Sequence, residues 1–192
     1  ALIDQDPATG EQTGGSAEPG IIQVSHDDNG NGLPDDPWYE IQGSDHSLAT
    51  TLPRYSITYT RPATGGHTSW EDSEGLTGFI AQTPFHTQPY YPQWLDEDRL
   101  TFSGTQLASN VERLSNGTFL FRALPWGYAD NRPNHAPECE IDIDWAVTSN
   151  GRPAHLPGIH FVRVYTAVNQ YNGMTGESST EVCGAADLHL LK

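Results

Sequence analysis

Residues 25–40 read SHDDNGNGLPDDPWYE. Asp27, Asn29 and Asn31 place side-chain oxygens at alternate positions, Gly32 follows at the sixth, and Asp35 stands at the ninth. Oxygen donors at this spacing suit a hard divalent cation, and calcium takes about six to eight of them at roughly 2.3–2.6 Å. The glycine allows the sharp turn that such a loop needs at that point. This is the first half of the EF-hand pattern. The second half departs from it, because the twelfth position is Trp38, where an EF-hand carries its bidentate glutamate. Calcium loops without an exiting helix follow D-x-[DN]-x-[DN]-G-x-x-D, which Asp27, Asn29, Asn31 and Asp35 match in full. The Leu33 carbonyl would complete the cage, with Asp36 as a further carboxylate. Pro34 and Pro37 stiffen the segment and reduce the entropy lost on ordering it. The expected ligand is one Ca2+; the alternative is a polar Gly/Asn turn with solvated aspartates.

Other groupings carry less. Asp142 and Asp144 lie two apart in EIDIDWAV, with Asp130 upstream, and two carboxylates on one strand face could hold a metal or perform acid–base chemistry. The competing reading is an exposed strand face near an arginine such as Arg163. The eight histidines show neither HExxH nor HxH spacing, which argues against zinc. A nucleophile elbow and a phosphate loop are both absent from the sequence. In HTQPYYPQW (86–94), Tyr90, Tyr91 and Trp94 sit among prolines and glutamines, and Trp126 and Tyr128 occupy a second such loop, LPWGYADNRPN. Flat aromatics on proline-stiffened loops make a stacking platform for a sugar or another flat ligand. Inward packing against the core is the alternative for each of them.

These loops need strands to hold them. IIQVS (21–25), WYEIQG (38–43), RYSITYTRP (54–62), GFIAQT (78–83), RLTFSGTQL (99–107), GTFLFRAL (117–124), EIDIDWAV (140–147) and IHFVRVYTAV (159–168) all read as strands,. The last two are separated by SNGRP, so a hairpin is expected there. Ile141, Ile143, Trp145, Val162 and Val164 are the expected core of these runs. Many short strands and no convincing amphipathic helix predict an all-β domain, a β-sandwich or jelly roll of the galactose-binding-like kind, over residues 20–192. Residues 1–19 read as a flexible or loop-like lead-in.

The chain has 192 residues, 25 Asp+Glu against 9 Lys+Arg, and a net charge of −16. That balance repels phosphate backbones and anionic membrane surfaces, so nucleic acid is excluded as a partner, while cations and neutral ligands stay open. No apolar run is long enough to span a bilayer, and ALIDQDPATG does not read as a signal peptide. Cys139 and Cys183 either form a disulfide or remain two separate thiols.

Several runs together, among them PGIIQVSHDDNGNGLPDDPWYEIQGS, YSITYTRP, YYPQW, GYADNRPN, IDWAV and LPGIHFVRVYTAVNQYNGMTGESSTEVCGAADLHL, resemble a family of predicted cell-surface proteins, mostly of gut Bacteroidetes. The resemblance covers most of residues 19–190. It implies a secreted or lipid-anchored jelly-roll module exposed at the outer membrane, encoded near uptake systems for corrinoids (vitamin B12) or glycans. An outer-membrane transporter or other surface lipoproteins are the implied partners. Family members normally carry a further segment before this region, so the resemblance implies that the chain either lacks an N-terminal portion of its sandwich or has that portion as a separate polypeptide. The resulting expectation is a noncatalytic module that captures a corrinoid or glycan, with calcium fixing one loop. A hydrolase or lyase using Asp142 and Asp144, and a structural or adhesive calcium-binding module, are the alternatives.

Overall fold

The computed structural model describes residues 4–5, 8–10, 12–63, 66–134, 136–173, 176 and 178–191. Among these, twelve strands follow in chain order: β1 (Asp4–Gln5), β2 (Gln12–Gly15), β3 (Gly20–Ser25), β4 (Trp38–Ile41), β5 (Leu52–Thr60), β6 (Thr68–Asp72), β7 (Thr77–Ile80), β8 (Arg99–Gln106), β9 (Val111–Arg113), β10 (Phe119–Arg122), β11 (Ala146–Val147) and β12 (Phe161–Thr166). Three single 3-10 turns are the helical content described. The strands form three antiparallel sheets, ordered β1-β2-β10-β9, β11-β4-β3-β12 and β7-β6-β5-β8. The fold is therefore nearly all β, as expected, and consistent with a β-sandwich. None of the described helices is long and apolar enough to cross a membrane.

β3 shows why IIQVS lacks clean alternation. It lies between β4 and β12 and is covered on both faces. Ile21 joins Leu107, Tyr128, Ala167 and Val168 in one buried cluster, while Ile22 and Val24 join Ile41 and Ala146 in another. Successive side chains point to opposite faces of a strand, so a strand buried on both sides reads as a continuous apolar run. β5 has one covered face, and its alternation is visible: Tyr55 and Ile57 are buried, and Ser56 and Thr58, which alternate with them, are half-exposed. At β8, Gly104 makes room for the phenol of Tyr165 from β12, since a Cβ there would collide with the Tyr165 hydroxyl.

Four expectations are corrected. EIDIDWAV is not an eight-residue strand. Ile143–Trp145 forms a 3-10 turn capped by Asp142, whose carboxylate accepts from the Asp144 backbone N–H at 2.9 Å, and β11 follows it with two residues. The expected hairpin between this run and 159–168 is also absent, because β11 pairs with β4 and β12 pairs with β3, at opposite edges of one sheet. Within the lead-in, Gln12–Gly15 pairs with β10, and Ala17 and Pro19 are buried. Of the expected core, Ile141, Trp145 and Val164 pack against the Ile22 cluster only partly buried, and Val162 is 47% exposed. The buried centre at this place is Ala146 instead. Cys139 and Cys183 are free thiols.

Candidate functional site

Residues 26–37 form the connection between β3 and β4, and Ser25 pairs directly with Trp38 across its base. A loop closed this tightly needs its own internal bonds, and Asp27 supplies them. Its Oδ1 accepts from the backbone N–H groups of Gly30 at 2.7 Å and Asn31 at 3.1 Å, and its Oδ2 accepts from Gly32 at 2.9 Å. These bonds, led by the one from Gly32, hold the Asp27 carboxyl below its ordinary range,. Asn29 Oδ1 accepts from the Asn31 N–H at 2.9 Å, and Asn31 Oδ1 accepts from the Leu33 N–H at 2.7 Å. The Nδ2 groups of Asn29 and Asn31 both donate to the Asp35 carboxylate, at 3.4 Å and 3.0 Å.

Asn29 and Asn31 thus converge on Asp35, while the Asp27 carboxylate holds the backbone of the same loop. Each Asn carbonyl oxygen uses one lone pair on the backbone and keeps the other. Asp36 is turned away to the backbone, accepting from the Asp28 N–H at 3.1 Å. The loop is moored to β12 through His160, whose Nδ1 accepts from the Asp27 N–H at 3.0 Å. Among the described residues, no three His, Cys, Asp or Glu side chains are arranged to hold a metal ion. What the loop carries instead is oxygen chemistry, the carboxylates of Asp27 and Asp35 and the amide oxygens of Asn29 and Asn31, a ligand type that suits calcium better than a softer ion,.

The five candidate aromatics separate. Tyr91 is 1% exposed: its hydroxyl donates to the Glu97 carbonyl at 2.7 Å, and the Arg61 guanidinium lies over its ring at 4.7 Å. Tyr128 is 2% exposed, stacks on His46, and accepts at its hydroxyl from the Asp45 N–H at 2.8 Å. Both rings are therefore covered by protein and pack inward instead of presenting a contact face. Tyr90 stacks on His86 at 4.1 Å and is half-buried. Trp126 leans on Trp145 at 4.7 Å with part of its ring exposed. Trp94 is 81% exposed. Its loop, residues 81–98, is anchored from beneath by Tyr91 and by Arg61, which donates to the Leu95 and Glu97 carbonyls and pairs with Asp98 at 3.1 Å.

Asp142 and Asp144 sit on the exposed 3-10 turn, with Asp142 committed to capping it. Arg163 is not their neighbour, for its guanidinium lies over the Trp38 ring at 4.1 Å and donates to Gln23. Asp130 accepts from the Glu181 N–H at 2.9 Å, and burial raises its pKa.

A largely buried ionisable cluster among the described residues has no sequence spacing to mark it. Glu40 Oε1 accepts from His46 Nε2 at 3.1 Å, and Glu40 Oε2 accepts from the Tyr165 hydroxyl at 2.8 Å. The Gly43 N–H donates to His46 Nδ1 at 2.8 Å, which leaves the proton of a neutral imidazole on Nε2, facing the carboxylate,. These groups come from β4, β12 and the turn after β4, so only the fold brings them together. No protein-family model matches the chain, and no curated protein matches it at a significant level.

Proposed function

We propose that this protein is a noncatalytic binding module of the cell surface that captures a nutrient, a glycan or a corrinoid, for outer-membrane uptake, with a calcium ion bound in the 27–35 loop. The observation that carries the reading is Trp94, an almost fully exposed indole on a loop whose base is pinned by Tyr91 and Arg61. Leaving an indole in water on an anchored loop forgoes burial that most large aromatics obtain, and a preformed aromatic face is what a stacking ligand uses. The strong negative charge favours an uncharged ligand,. The oxygen-only donor set of the 27–35 loop supports calcium as the resident ion. The resemblance to outer-membrane surface proteins supports the localisation and a transporter as partner.

The test is a binding screen of the purified chain against cyanocobalamin and an array of neutral glycans, with and without EDTA. Saturable binding of one of these, weakened by Trp94→Ala, supports the reading. Binding of neither overturns it, and turnover of any glycan overturns the noncatalytic part.

A further inference from the structure

The outer face of the β7-β6-β5-β8 sheet is unusual in what its strands present. The register aligns Thr77, Glu71, Thr58 and Thr101 in one row across four strands. The next row is Phe79, Ser69, Thr60 and Arg99. A chain of net charge −16 carries no net charge across these two rows, because Glu71 and Arg99 are their sole ionised groups and pair with each other at 2.5 Å. The remainder is hydroxyls and one aromatic. Phe79 is 61% exposed, and one face of its ring is stacked by His67 at 4.9 Å.

The face is also hollowed. A depression of about 540 Å³ is lined by Thr60, Ser69, Trp70, Glu71, Thr77, Gly78 and Phe79. A second, of about 270 Å³, adjoins it through Glu71 and Thr77 and runs on to Ser56 and to the β6–β7 turn, where Asp72 and Leu76 border it. Small-molecule sites span roughly 300–1,000 Å³, so the larger depression is of ligand size, and the second extends it along the strands,.

We infer that this face binds an uncharged oligosaccharide lying across the rows, with one sugar ring against Phe79 and the hydroxyls of its neighbours on the Thr and Ser side chains. The inference rests on the capture reading and gives its ligand class and contact surface. A sugar has an apolar C–H face and a rim of hydroxyls that both donate and accept. Threonine and serine hydroxyls match that rim with either polarity, and six of the eight side chains in the two rows are uncharged, so the ions to be stripped of water there are limited to the Glu71–Arg99 pair,. The hydroxyls are already placed by the strands, and Thr58 and Thr101 hold each other at 2.8 Å, so little order remains to be lost on binding,. Anionic glycans are disfavoured by the field of the whole chain. The Trp94 loop leaves β7 after Ile80 and rejoins the sheet at Arg99, so it spans the end of the sheet where the Phe79 row lies.

Affinity electrophoresis of the full chain through gels holding neutral polysaccharides (xylan, mannan, arabinan and mixed-linkage β-glucan) tests this. The wild type should be retarded by at least one of them. Phe79→Ala should reduce that retention tenfold or more, as should Ser69→Arg, which fills the larger depression without removing an apolar contact. Both positions are exposed, and unchanged thermal unfolding of Ser69→Arg keeps the test valid if Phe79→Ala unfolds. Retention lost in Trp94→Ala but intact in both sheet variants overturns the inference and leaves the capture reading standing. Binding of cyanocobalamin with no polysaccharide retained does the same. No binding of either ligand removes both.

Discussion

The Tyr165 hydroxyl bridges two sheets: it accepts from the Thr105 N–H at 2.7 Å and donates to Glu40 Oε2 at 2.8 Å. Thr105 belongs to β8 in one sheet, and Tyr165 and Glu40 belong to β12 and β4 in another. Gly104 provides the space through which the phenol reaches. One side chain therefore ties the sheet that carries the hydroxyl rows to the sheet that carries the 27–35 loop.

Tyr165→Phe keeps the ring and removes both bonds. A half-buried carboxylate loses a donor, and a backbone N–H on β8 loses its acceptor. The expected cost is about 1–3 kcal/mol, read as a lower urea midpoint with an unchanged slope. A midpoint equal to wild type would show that water replaces the hydroxyl at no cost.

Glu40 makes stability depend on pH in a defined direction. Burial, the largest influence, raises its pKa, but the hydrogen bonds from His46, Thr105 and Tyr165 together outweigh it and hold the carboxyl below its ordinary value of 4.5,. A group whose folded pKa is depressed stabilises the fold above its unfolded pKa and loses that contribution as pH falls through the folded value. The stability difference between wild type and Glu40→Gln should thus be largest near neutral pH and shrink as pH drops below about 4.5,. Comparing the two proteins cancels the titration of the other carboxylates. A difference independent of pH would mean that Glu40 acts through shape alone.

How far the sequence foretold this arrangement depended on whether the signal was local. Tyr55 and Ile57 alternate with Ser56 and Thr58 because one face of β5 is covered, and that pattern is legible. The run from Ile141 to Trp145 shows the same alternation and is not a strand: Asp142 captures the Asp144 N–H and closes a turn, and a 3-10 turn cannot be told from a short strand by two alternating residues,. Tyr91 and Trp94 share one aromatic, proline-rich segment, and nothing local says which turns inward; Arg61 and the Glu97 carbonyl, outside that segment, decide it. The Glu40–His46–Tyr165 cluster joins residues up to 125 positions apart and has no spacing to read. That 27–35 folds on its own side chains was legible because Asp27, Asn29, Asn31 and Asp35 lie within nine consecutive positions.

Calcium in that loop predicts a specific pattern of unfolding temperatures. Millimolar Ca2+ should raise the melting temperature of the wild type, and EDTA should reverse it, because an ion that binds only the folded loop stabilises by mass action. Asp27→Ala removes one proposed ligand together with the acceptor for Gly30, Asn31 and Gly32, so its melting temperature should be lower and insensitive to calcium. Asp35→Asn leaves those backbone bonds in place and should lose most of the calcium response alone. A wild type indifferent to both calcium and EDTA would leave the loop as a self-bonded turn.

Tyr91 and Trp94 should respond to truncation in opposite ways. Tyr91 is enclosed, with its hydroxyl bonded to Glu97 and its ring beneath Arg61. Tyr91→Ala empties that space, and loss of a buried aromatic costs about 3–5 kcal/mol. Trp94 has four-fifths of its surface in water, and exposed substitutions usually stay within about 0.5 kcal/mol. Trp94→Ala should therefore leave the urea midpoint where it is. Affinity for the captured glycan or for cyanocobalamin should fall tenfold or more, equivalent to at least about 1.4 kcal/mol, as happens when a stacking aromatic is removed from an interface. Tyr91→Phe separates position from packing: it keeps the ring, leaves the Glu97 carbonyl without its donor, and loosens the loop beneath Trp94. Its stability loss should be near 1 kcal/mol, with a weaker affinity that follows from a less fixed indole. Unchanged affinity in Trp94→Ala, measured by titration calorimetry on a folded sample, would remove the indole from the binding surface.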